Sequence, residues 1–122
     1  MDLTTRNNPP VKILVLTGSF SNTTAAPARQ WLDEATAEPP AYVVVDLANV
    51  RFMDSTALST LVHAMKRARA LGGDLRLCGL QQPVRMIFEM TRLDRVFEIF
   101  NQADDAIQAF LLSEQPSPGK DE

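Results

Sequence analysis

The chain has one cysteine, Cys78, and one histidine, His63, in 122 residues. A lone thiol has no intrachain partner for a disulfide, so the expected setting is reducing and cytoplasmic. Cys78 lies in an apolar, strand-like run and reads as a small buried hydrophobe. One thiol and one imidazole fall short of the usual transition-metal ligand set, and no metal or other cofactor is expected. Glycine is sparse, at five residues, and Gly72-Gly73 lacks the pattern of a phosphate-binding loop. No apolar run approaches the roughly 20 residues that span a bilayer. The N-terminus, MDLTTRNNPP, has no hydrophobic signal core. No membrane partner is therefore expected. Basic charge is also short: 12 Lys and Arg stand against 15 Asp and Glu, for a net charge of −3. That balance argues against direct binding of nucleic acid.

What is present is an ordinary globular composition, 45% hydrophobic and 22% charged, enough to bury a core. The length fits one domain. Residues 1–10 end in Asn-Asn-Pro-Pro and read as a flexible lead-in. VKILVLT (11–17) is a branched apolar strand, and GSFSN follows as a loop. A helix is expected from about Thr24 to Ala37, with Ala28, Trp31, Leu32 and Ala35 on one face. YVVVDL (42–47) is apolar almost without alternation, which suits a strand covered on both sides. A second helix runs from about Thr56 to Leu71, turns Leu58, Leu61, Val62, Met65 and Ala68 inward, and stops at Gly72-Gly73. DLRLCGL (74–80) reads as a strand, Pro83 opens a short helix, VFEIF (96–100) is a strand, and ADDAIQAFLL (103–112) is a last helix. SEQPSPGKDE (113–122) reads as a disordered tail. Alternating strands and helices imply an α/β fold, with a mostly parallel or mixed sheet of four to five strands flanked by about four helices.

The stretch that calls for chemistry is FMDSTALSTL (52–61). Asp54, Ser55 and Thr56 fall between a strand and a helix, at the edge where open α/β sheets carry function. Helix capping by Asp54 or Ser55 accounts for one polar residue, not three. A hydrolase reading makes Ser55 a nucleophile, but it lacks the glycine-flanked elbow. His63 lies eight residues further along the helix, about 12 Å of rise, out of reach as a base. A receiver-like aspartyl phosphate at Asp54 needs more carboxylates for Mg²⁺, and Thr17-Gly18-Ser19 supplies none. What is left is a modified hydroxyl. A phosphate on Ser55 adds about −1.5 to −2 charge at a helix N-terminus, where free N–H groups and the dipole tolerate it.

The block VVVDLANVRFMDSTALSTLVHAMKRARALGGDLRLCGL resembles the STAS family, within it the bacterial anti-sigma factor antagonists. PVRMIFEMTRLDRVFEIF is similar to the family's next segment, and the resemblance covers roughly residues 11–112, the expected STAS domain. It implies a partner that is both anti-sigma factor and serine kinase, bound by the unphosphorylated protein and released on phosphorylation. It implies a PP2C-type phosphatase that reverses the modification. By position Ser55 matches the phosphoacceptor, with Thr56 secondary, and Asp54 matches the adjacent acid. The implied protein is a substrate, not an enzyme. The partner surface is expected to include Asp54, Ser55, Thr56, Ser21, Asn22 and Thr60, with Arg51 and Arg67 as further exposed candidates. Two positions depart from the family pattern. Ser21 stands where an early Gly-x-aliphatic-Asp turn has its aspartate, and Ala57 stands where glycine is common. An extra first strand, often present in the family, has no clear counterpart here. The alternative is a phosphorylation-independent STAS scaffold or binding module in another signalling assembly.

Overall fold

The computed structural model describes residues 1–114. Five strands form one sheet in the order β1 (Asp2–Asn8), β2 (Val11–Phe20), β3 (Tyr42–Met53), β4 (Asp74–Cys78) and β5 (Ile99–Phe100). β1 runs antiparallel to β2, and every other neighbouring pair is parallel. The helices are α1 (Ala25–Ala35), α2 (Ser55–Ala70), α3 (Gln82–Met90) and α4 (Ala103–Glu114), with a short 3₁₀ turn at Leu93–Arg95.

From β2 to β5 each crossover moves one place in the same direction across the sheet. Right-handed crossovers then put their helices on one face. The packing agrees: α1, α2 and α3 contribute Leu32, Leu61, Val84 and Phe88 to one core with Leu14, Leu16, Val43, Val45, Leu75 and Leu77. The alternate residues Val11, Ile13, Val44 and Cys78 face α4, through Ala106, Ile107 and Phe110. Period-two alternation thus divides β2, β3 and β4 between two cores. It also explains why 42–47 is apolar throughout, since both faces of that strand are covered.

The structure corrects the expected boundaries at several places. The lead-in is not loose: Asp2–Asn8 pairs along its whole length with β2, and Leu3 packs on the larger core. An edge strand needs few apolar residues, so DLTTRNN carried little signal. β2 continues beyond residue 17 and β3 beyond 47. They pair as far as Phe20↔Met53, through two register shifts. Ala48, Asn49 and Arg51 are exposed there, so the apolar pattern fades while the ladder goes on. β5 is shorter than 96–100, because Phe97 closes the 3₁₀ turn by donating its N–H to Leu93 O at 3.0 Å. The last helix reaches Glu114, and 115–122 of the expected tail lie outside the described residues.

Candidate functional site

The extra length of β2 and β3 delivers two loops to one lip of the sheet. Phe20 and Met53 pair as the last rung. Ser21 and Asn22 follow one strand and Asp54 follows the other. Asp54 N–H donates to Phe20 O at 3.3 Å, which continues the ladder by one bond.

Asp54 is the N-cap of α2. Its Oδ1 accepts the Ala57 N–H at 3.0 Å, and its Oδ2 accepts the Asn22 N–H at 2.8 Å. One carboxylate therefore caps the helix and ties down the loop before α1. The Ala57 N–H does most to hold the Asp54 carboxyl below its usual range; partial burial opposes this, and the Asn22 N–H adds to the lowering.

Because Asp54 is the cap, Ser55 is not. Ser55 and Thr56 occupy the first two helical positions, both exposed. Among the described residues neither hydroxyl makes a hydrogen bond. Ala57 is fully buried. Its methyl fills core space while its N–H serves the cap.

The other expected contacts divide. Asn22 and Arg51 are exposed near the lip. Ser21 is half-buried and builds the turn into α1, its N–H donating to Thr24 Oγ1 at 2.9 Å. Thr60 is not the outward contact expected. It is 7% exposed, and its hydroxyl donates back to Thr56 O at 2.8 Å, because its place on α2 turns toward α1. Arg67 lies three turns from Ser55, about 18 Å along the helix. It is engaged there with Asp33 and, at 3.0 Å, with Thr36 Oγ1.

Sequence reasoning missed a groove of about 380 Å³ between α1 and α2. Arg29 and Asp33 line it from α1. Ser55, Thr56, Ser59, Thr60, His63 and Arg67 line it from α2. The four-residue spacings 29–33 and 55–59–63–67 were visible as helix stripes. Nothing local says that the two stripes face each other.

His63 and Ser55 share this groove without a hydrogen bond between them. Cys78 is buried, and burial first, then the charge of Asp46, pushes its thiol up to about 12. Among the described residues no cluster of His, Cys, Asp and Glu could hold a metal ion. None of their helices is long and apolar enough to cross a membrane.

Comparison with known proteins gives a consistent answer. The anti-sigma F factor antagonist of Paenibacillus polymyxa is 28% identical over 98 residues, covering 80% of this chain and 84% of that protein. The anti-sigma-B factor antagonist of Listeria monocytogenes is 30% identical over 101 residues, covering 83% and 88%. The crystal structure of an anti-sigma factor antagonist from Mycobacterium paratuberculosis superposes with a TM-score of 0.81 at 23% identity, covering 90% of this chain and 93% of that one. The family model described as the STAS domain matches residues 2–106, which includes β1 and the lip around Asp54. With its sheet order, its capped α2 and this match over most of its length, the chain belongs to the STAS domain family.

Proposed function

We propose that the protein is an anti-sigma factor antagonist controlled by phosphorylation of Ser55. Unphosphorylated, it binds an anti-sigma factor that is also a serine kinase, and the sigma factor is freed. The kinase moves the γ-phosphoryl group of ATP to Ser55 Oγ, ADP leaves, and the hydroxyl proton passes to the kinase. The phosphorylated protein is released, and a PP2C-type phosphatase hydrolyses the ester. On this reading the chain is a substrate rather than an enzyme and works in the cytoplasm.

The observation that carries the reading is the division of labour between Asp54 and Ser55. Asp54 supplies the cap, so the Ser55 hydroxyl is exposed and makes no hydrogen bond among the described residues. A phosphate there adds about −1.5 to −2 charge beside the positive end of α2, where it is tolerated. A partner shaped to a neutral hydroxyl would instead bury an unpaired charge, at a cost of about 3–5 kcal/mol. That is on the order of a hundredfold to several thousandfold in affinity. Thr56 is the secondary acceptor. The names of the two curated relatives support the class of partner.

Phosphopeptide mapping of the protein from its own cells, beside Ser55→Ala, tests the acceptor. Binding to the kinase tests the switch: Ser55→Ala should bind constitutively and Ser55→Asp should not bind. Absence of phosphate under every growth condition, or equal binding by both variants, would replace this reading with the phosphorylation-independent scaffold.

A further inference from the structure

Of the two arginines that line the α1–α2 groove, one has no partner among the described residues. Arg67 is engaged by Asp33 and Thr36. Arg29, one turn before Asp33 on α1, is exposed and makes no hydrogen bond or ion pair among the described residues. An Arg at i and an Asp at i+4 would ordinarily face each other. Here Asp33 is drawn across the groove to Arg67, and the Arg29 guanidinium is left without its neighbour.

Two sets of contacts fix how the helices lie. The Asn22 N–H to Asp54 bond ties their starts together, and the contacts of Arg67 with Asp33 and Thr36 tie the far end. Both helices leave parallel strands and run the same way. Arg29 lies between these ties, about 6 Å nearer the Ser55 end than Asp33. Arg29 and Ser55 line the same groove, and Thr56, Ser59 and Thr60, none larger than threonine, form its wall on this stretch of α2.

We infer that Arg29 is the counter-ion for the phosphate of Ser55, and that the α1–α2 groove is the cradle into which the phosphate folds. This rests on Ser55 as the acceptor. A guanidinium offers paired N–H donors that match phosphate oxygens. Asp54, at the cap, repels the phosphate from the loop side and so favours the groove. The charged or titratable groups around the phosphate are then Asp54 at the cap, Arg29 and Asp33 from α1, and His63 and Arg67 from α2. The phosphate changes the binding lip twice: it adds charge, and it closes the groove with an Arg29–phosphate bridge. It is also partly withdrawn from the phosphatase, which gives the released state a longer life.

The test uses full-length protein with phosphoserine installed at position 55 by genetic-code expansion, so it does not depend on a kinase existing. Phosphorus-31 NMR against pH reads the second ionisation of the phosphate, in an His63→Gln background that removes the imidazole's own titration. The phosphate should titrate lower with Arg29 present than in Arg29→Gln, by roughly half a unit. Lys66→Gln removes the same charge from an exposed position on α2 about 16 Å along the helix from Ser55 and should leave the titration unchanged. Equal titrations with and without Arg29, or equal displacement by Arg29→Gln and Lys66→Gln, overturn the cradle. Either result leaves the Ser55 switch standing, whereas failure to find phosphate in cells sinks the switch and not the local chemistry of the groove.

Discussion

Gly73→Ala should destabilise the fold about three times as much as Gly72→Ala, although the two glycines are adjacent. They close α2 together. The Gly72 N–H donates to Arg69 O at 3.1 Å and the Gly73 N–H to Ala68 O at 2.9 Å, the two bonds of a Schellman closure. Gly72 has φ +81° and nothing within 4 Å of a added Cβ. Its substitution costs only the left-handed strain of an alanine, about 1 kcal/mol. At Gly73 a Cβ would stand 2.0 Å from Ala41 O and 2.6 Å from Ala41 C. The same oxygen accepts the Asp74 N–H at 3.0 Å, where β3 and β4 begin to pair. Moving that carbonyl costs the bond and leaves a buried acceptor poorly satisfied, about 1–3 kcal/mol, and the backbone shift brings the total to about 3 kcal/mol. For a domain of this size 1 kcal/mol is about 4 °C in Tm, so the expected losses are about 4 and about 12 °C. Thermal and urea unfolding of the two variants measures both. A Gly73→Ala variant as stable as Gly72→Ala would refute the close approach to Ala41.

Asp54 and Cys78 give two further expectations. The Asp54 carboxyl ionises below its usual range in the folded state, so its contribution to stability is complete above its unfolded value, about 3.9, and is lost as pH falls through the lower folded one. Asp54→Asn should therefore flatten the acid limb of a urea-midpoint titration below about pH 4, and an unchanged limb would refute the bonds to Ala57 and Asn22. The Cys78 thiol, pushed up to about 12 by burial and then by Asp46, should react with a disulfide reagent at least about a hundredfold more slowly in folded than in unfolded protein. Rapid, full labelling of the native state would place Cys78 elsewhere.

Much of the fold was legible because helix and strand periodicities are local. The stripe of Leu61, Met65 and Ala68, the Gly72-Gly73 stop and the two-sided 42–47 run each announce their element within a few residues. The strand ends were less legible. Asp2–Asn8 and the stretch from Ala48 to Met53 are held by backbone pairing, which needs no apolar side chain on an exposed edge.

The candidate site divides in the same way. The sequence by itself determined that an acid and two hydroxyls begin α2, because the strand-to-helix change at residues 52–57 is written in consecutive residues. Only the tertiary structure decided which of them does what. Asp54 caps α2 through the Ala57 N–H, and its second oxygen is held by Asn22, 32 residues away, so that the cap falls to Asp54 and not to Ser55. Thr60 became a buried groove residue only once α1 lay beside α2. Arg29 came to line the same groove as Ser55 by the same contact between helices. Each of these depends on which helices meet across one face of the sheet, a non-local outcome of core packing that no single stretch of sequence contains.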